Sequence, residues 1–365
     1  MISSLEPKRQ VLLQFASCVV CCLLLLGLSA TPTLAFSDPP GAGLPSPSQS
    51  AAFPNAFSKA ASFPTVSNGV LISYVREISA PTAIVVDDIS TRQSATTSFW
   101  IAEASSVSLI DAAVTADKQF LVLVGSYVPL AGGADVPFIT TQNLTNGQVS
   151  LIKPAGDYVP VRVCAANNGT LWTVGQTEAE LTHLQLTPQP EYQMVRSYSL
   201  EGTLLHSFVP RSSQGSAPLT LLPRARSYGY RLGNLTPAKL SCGDNSVGLF
   251  VGYPAYSWNE IDLKSNTVQH WRVPPSSMAS ITGLTLLGSH TVYASFSLRS
   301  DNKWVLTLHR LVLSPDYTGS WVKVEDKAGP DEKGFSVLLG RDGSSLVYLR
   351  GARTPSNATL YWSTP

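Results

Sequence analysis

From Ser67 onward the chain alternates short polar clusters with short apolar runs. NNGTLWTVG, starting at Asn167, has counterparts in SNGVLISYV from Ser67, ADKQFLVLVG from Ala116, GDNSVGLFVG from Gly243, LGSHTVYASF from Leu287 and GRDGSSLVYLRG from Gly340. Each joins a turn of Asn, Asp or Gly to a run of strand length rich in Val, Leu, Phe and Tyr. Most of these units lie about 45–55 residues apart, the spacing of repeated four-stranded blades.

Two further strands follow each of the first five units. They run through TAIVVDDI…SFWIAEA from Thr82, FITTQNLTNGQVSLIK from Phe138, MVRSYSLEGTLLHSFV from Met194, WNEIDLKSNTVQHWRV from Trp258 and LTLHRLVLSPDYTGSWVKVED from Leu306. Alternating strands around a polar turn read as hairpins, and Asn146-Gly147 and Glu201-Gly202 suit tight turns because glycine takes positive φ at little cost. A short strand also precedes most of the polar turns: VSLIDAAV, VPVRVCAA, PAKLSC, ITGLTLL and GFSVLLG. The unit is therefore four antiparallel strands, and such units repeated about an axis make a β-propeller. The unit limits are 62–105, 106–156, 157–213, 214–277, 278–329 and 330–365. This predicts an all-β propeller of six blades, with five or seven left open by the long fourth unit. The last unit shows three strands, so its missing strand is expected from residues before Ser62, which closes the ring and hides its edges.

The N-terminus breaks this pattern. Lys8 and Arg9 precede an almost unbroken apolar run over residues 11–28, followed by SATPTLAFSDPP. That is the layout of a secretory signal, with cleavage expected after Ala35 and Thr33 and Ala35 as the small pair. A retained anchor is the alternative, since about 18 apolar residues approach the spanning minimum. No other run has spanning length, so no membrane span is expected after cleavage. Residues 39–61 are rich in Pro, Ser and Ala and read as a flexible tether. The domain plan is a signal peptide over 1–35, a tether over 36–61 and one propeller over 62–365.

Hydrophobic residues make up 44% of the chain, enough for a large core, and charged residues only 13%, with net charge +1. That balance gives no reason to expect a nucleic-acid partner. Of five cysteines, Cys18, Cys21 and Cys22 lie in the removable segment. Cys164 and Cys242 remain. Both end the first strand of consecutive units, which sets them at similar heights on neighbouring blades. A disulfide needs Cα atoms within about 7 Å, so either a bridge or two small buried thiols fits.

The units resemble blades of secreted bacterial β-propellers with irregular repeats. GRDGSSLVYLRG is similar to the Asp-Gly turn and strand of TolB and WD40-like propellers, and NNGTLWTVG to blades of the NHL kind. The resemblance covers about 300 residues as architecture. The chain has no Gly-His…Trp-Asp pairs of a true WD40 array, no paired kelch glycines and no sialidase box, so no family's catalytic residues are carried over.

Candidate chemistry is sparse. There is no phosphate-cradling glycine loop and no Gly-x-Ser-x-Gly elbow. His183, His206, His270, His290 and His309 form no metal-spaced pair. Adjacent acids at Asp87-Asp88 and Glu325-Asp326 point to opposite strand faces. Asp117, Asp244 and Asp342 share one turn position, which fits either local capping or an oxygen-ligand cation site. The most unusual stretch, residues 211–237, interleaves Arg224, Arg226 and Arg231 with Tyr228 and Tyr230. Arginine with tyrosine suits planar, anionic or sugar-like ligands, so these five are the candidate ligand-binding residues.

The expectation is an exported, secreted or periplasmic, non-catalytic propeller that binds a protein or carbohydrate as a monomer without a cofactor. A propeller hydrolase, lyase or lactonase with a divalent metal in its channel is the alternative, and a structural envelope protein a third.

Overall fold

The structure, a computed structural model, describes residues 49–52, 65–74, 80–156, 158–177, 193–208, 238–251, 256–273, 280–300, 303–325, 335–352 and 359–363. The expected signal segment lies outside them. Among the described residues no helix is long and apolar enough to cross a membrane.

Among the described residues the strands form six four-stranded antiparallel sheets. Sheets I to V span residues 65–99, 104–152, 158–208, 239–272 and 280–325, each a meander with its strands in chain order. Sheet VI takes Phe335–Asp342, Ser345–Ala352 and Thr359–Ser363 from the C-terminus and Gln49–Ala52 from the N-terminal side. Ala51 stands opposite Leu360 in that last pairing. The all-β propeller class with four-stranded antiparallel units is thus as the repeat pattern implied. Two details differ. Sheet II begins at Ala104, two residues before its expected limit at 106. Gln49–Ala52 is a strand although it falls within the expected tether; without it, Thr359–Ser363 would show a bare edge.

The first strand of each sheet is its inner edge: Thr65–Ser67, Ala104–Val114, Tyr158–Ala165, Lys239–Cys242, Ser280–Leu286 and Phe335–Asp342. Each of these strands lies beside the first strand of the sheets before and after it, and sheet VI returns to sheet I. The ring is therefore closed. The second strands lie deepest: Val70–Tyr74 and Ser246–Val251 are buried at every position. Burial on both faces explains why these runs are apolar throughout rather than alternating.

An inner-edge strand has backbone groups with no partner in its own sheet, and buried backbone groups must be paired. Neighbouring sheets supply the partners. Ser67 Oγ accepts from Val114 N at 3.0 Å, tying I to II. Asp111 Oδ2 accepts from Val163 N at 3.0 Å, tying II to III. Ser241 Oγ accepts from Leu286 N at 2.9 Å, tying IV to V. Gly69 N donates to Arg341 O at 2.7 Å, tying I to VI. Sheets III and IV are joined covalently: Cys164 and Cys242 form a disulfide with Cα atoms 5.6 Å apart. Neighbouring blades approach closely enough here because these are the inner strands, where the ring is narrowest.

Two glycines serve this packing. Gly248 faces the Trp258 ring, into which a Cβ would drive. Gly69 has φ +72° and lies against the Asp342 carboxylate, so both its conformation and its contact exclude a side chain.

Gly248→Ala should cost about 1–3 kcal/mol through overpacking, read as a lower urea midpoint. Cys164→Ala with Cys242→Ala removes a cross-link between residues 78 apart. It should cost about 2–4 kcal/mol, and reductant should reproduce the loss in the unmodified chain.

Candidate functional site

The polar turns that mark the repeat all lead from a first strand into a second, so they gather at one end of the ring. Their side chains meet across it. Arg341 of sheet VI donates from Nη2 to Asn167 Oδ1 of sheet III and from Nη1 to Asp244 Oδ1 of sheet IV, both at 2.5 Å. Asn167 Nδ2 also donates to Asp244 Oδ1 at 2.9 Å. Asn68 of sheet I donates from Nδ2 to the carbonyls of Val114 at 2.7 Å and Ala165 at 3.3 Å. Lys118 of sheet II pairs with Asp88 at 2.9 Å and lies 3.8 Å from Asp342. Arg341 is 4% exposed and Asn68 9%. These residues form a polar network, a seal that links the turns of sheets I, II, III, IV and VI at this end of the ring.

The turn aspartates divide. Asp244 belongs to the seal, and Asp117 caps its own turn through Thr115 Oγ1 and Gln119 N. Asp88 accepts from Ser90 N, Ser90 Oγ and Thr91 N. Burial alone would raise its pKa, but the hydrogen bonds from Lys118, Thr91 and Ser90 hold the carboxyl well below the usual carboxylate range. Among the described residues no group of three or more His, Cys, Asp or Glu is placed to hold a metal ion. The described histidines are occupied in packing. His206 stacks on Trp172 and His309 meets Phe296 edge-on. His270 pairs with Asn259 at 3.0 Å and His290 with Glu260 at 3.2 Å.

Further along the inner strands lies a second polar group. Asp111, Arg162 and Lys239 each stand three residues before the end of an inner strand, on sheets II, III and IV, and Gly283 occupies the same position on sheet V. Three residues of strand place this level about 10 Å from the turn end. Bulges mark it: the register slips between Leu109 and Asp111, between Pro160 and Arg162, and between Ile281 and Gly283. A bulge breaks the in–out alternation and re-aims the next side chain. All three charged residues are half-buried, enclosed by protein yet reached by solvent.

One carboxylate and two cations influence one another electrostatically. Burial pushes the Asp111 carboxyl up, against the pull of Arg162, the Val163 and Ala112 N–H groups and Lys239. Burial pulls Lys239 down to about 8, helped by repulsion from Arg162 and opposed by Asp111. A lysine poised this way is a mark of functional sites, although ion-pair networks also produce it.

The five expected ligand residues, Arg224, Arg226, Tyr228, Tyr230 and Arg231, lie outside the described residues. The Asp111, Arg162 and Lys239 cluster was missed in the sequence. Its signal was present, however: aligning IDAAV, VRVCA and KLSC on the turns that follow puts a charge at one position in three consecutive units.

Lys239 releases its proton near pH 8 in the folded chain and near 10.5 in the unfolded one. Between these values the unfolded chain binds the extra proton, so this group makes stability rise with pH. Lys239→Met should abolish that component, read as a flatter stability profile between about pH 8 and 10.5 in urea titrations at fixed salt.

No protein-family model matches the chain, and no curated protein matches it in sequence. Among solved structures it is similar to the β-propeller domain of the Trilobed protease from Pyrococcus furiosus, with 9% identity, a TM-score of 0.42, and coverage of 84% of this chain and 94% of that one. It is similar to YjhT at 11% identity and a TM-score of 0.46, covering 82% and 92%. It is also similar to Pyrococcus horikoshii acylaminoacyl peptidase at 10% identity and a TM-score of 0.43, covering 85% of this chain and 52% of that one. These likenesses concern fold alone.

Proposed function

We propose that the chain is an exported, non-catalytic β-propeller that binds a small ligand inside its ring. The observation that carries this reading is the cluster of Asp111, Arg162 and Lys239 on rigid inner strands at one level of the bore. Convergent polar groups in an enclosed, otherwise apolar setting are the usual form of a ligand site. The seal of Arg341, Asn167 and Asp244 favours entry from the opposite end. Export is supported by the basic, apolar and small-residue order of the first 35 residues.

When the full chain is expressed, its product should be recovered outside the cytoplasm with Phe36 as first residue, as N-terminal sequencing would show. An unprocessed N-terminus in the membrane fraction would replace secretion with anchoring. In a thermal-shift panel of sugars, cell-wall fragments, small organic acids and divalent metals with and without chelator, a ligand at about 100 times its Kd should stabilise by about 2.7 kcal/mol. Substitution of Lys239 should abolish the shift. Stabilisation by a metal alone, reversed by chelator, would favour a channel enzyme instead.

A further inference from the structure

We propose that Asn168 is a site of N-linked glycosylation. This rests on the reading that the chain is exported, and it is independent of what the ring binds.

The first support is sequence. Asn168-Gly169-Thr170 is an Asn-x-Thr triplet without proline at its centre, the acceptor pattern for oligosaccharide transfer. The pattern recurs at Asn143, Asn234 and Asn357. Asn234 and Asn357 lie outside the described residues.

The second support is local geometry. In the turn between the first two strands of sheet III, Asn168 Oδ1 accepts from Thr170 N at 3.1 Å and from Thr170 Oγ1 at 2.6 Å. The threonine hydroxyl is itself oriented, because it accepts from Trp172 Nε1 at 2.9 Å. The amide oxygen of Asn168 is thus held inside the triplet, while its amide nitrogen enters no hydrogen bond among the described residues. Both bonds to Oδ1 span only two residues, and such side-chain turns form from local sequence alone. An enzyme acting on the chain before it folds would therefore meet the same turn. Asn143 differs. It is half-buried, and its Oδ1 accepts from Thr145 N at 2.8 Å and Asn146 N at 3.1 Å rather than from the Thr145 hydroxyl.

The third support is room. A glycan is bulky and hydrated and needs a surface position that folding leaves open. Asn168 is exposed. Gly169 beside it has φ +80°, and nothing lies within 4 Å of where a Cβ would stand. The adjacent asparagines have separate duties. Asn167 is bonded to Arg341 and Asp244 in the seal, whereas Asn168 bonds only within its own turn. A glycan on Asn168 therefore leaves the seal intact.

In the transfer, Asn168 Nδ2 attacks the anomeric carbon of a lipid-diphosphate-linked oligosaccharide. The new N–C bond forms as the C–O bond to the diphosphate breaks. The lipid diphosphate leaves, and one amide proton passes to a base on the transferring enzyme.

The test is peptide mass spectrometry of the full chain as its own cells export it, with enzymatic glycan release in heavy-oxygen water. Asn168 should carry a glycan, and release should leave an isotope-marked aspartate at that position. Asn168→Asp keeps the Oδ1 acceptor but has no amide nitrogen, so it should lose the glycan while the chain is still exported. Thr170→Ala should lose it too, and Thr170→Ser, which restores the hydroxyl, should regain it. A bare Asn168 in a chain whose first residue is Phe36 would overturn the proposal and leave export intact. A bare Asn168 in a chain kept in the cytoplasm would overturn both.

Discussion

Everything in this ring follows from the inner edge of its sheets. Each four-stranded unit pairs its own strands, but its first strand has one side with no partner. In water such an edge is tolerable; in a closed ring it is enclosed, and its N–H and C=O groups must be satisfied. The chain solves this with a side chain or carbonyl from a neighbour: Ser67 for Val114, Asp111 for Val163, Ser241 for Leu286 and the Arg341 carbonyl for Gly69. At the junction of sheets III and IV the neighbours are also tied covalently, by a disulfide that holds the strands together without satisfying backbone groups. Small polar residues therefore sit in otherwise apolar strands because each closes a gap in the ring.

The same constraint explains the seal. Turns from the six sheets gather at one end, and several of their polar groups find partners on other sheets. Arg341 resolves several at once. Its guanidinium reaches Asn167 and Asp244 from the far side of the ring, and its carbonyl takes the Gly69 N–H. An arginine is suited to this because it presents several donors in a fixed plane. Lysine at that position would lose the planar span even with its charge retained.

The repeat and its four-strand content were legible because both rest on local rules. Asn, Asp and Gly make turns, and buried strands read as apolar runs. The strand at Gln49–Ala52 was half legible. Closure demanded an N-terminal strand, but QSAA has weak strand character and sits among prolines, so composition pointed to a tether. Its state is decided by the edge it covers, a nonlocal fact. The pairing of Cys164 with Cys242 stood open because spacing along the chain does not report the radius of the ring. The charged cluster was overlooked for another reason. Asp111, Arg162 and Lys239 belong to no motif, and they become neighbours only when three strands some fifty or more residues apart are stacked by their turns. Bulges then decide where the side chains go, and no residue pattern announces a bulge.

The position of the disulfide sharpens this picture. Of the junctions around the ring, the one between sheets III and IV joins the two strands that carry Arg162 and Lys239. Those two cations repel: burial is the main cause of the depressed Lys239 pKa, and repulsion from Arg162 adds to it. Repulsion between facing charges pushes the inner strands apart, and a single hydrogen bond, worth about 1 kcal/mol net, opposes it weakly. A covalent tie a few residues away resists separation directly, independent of pH and salt. On sheets II and III the facing charges are opposite, Asp111 and Arg162, and there the hydrogen bond to Val163 suffices. The covalent tie thus stands at the junction whose strands carry like charges, and the adjoining junction is held by the bond from Val163 N to Asp111.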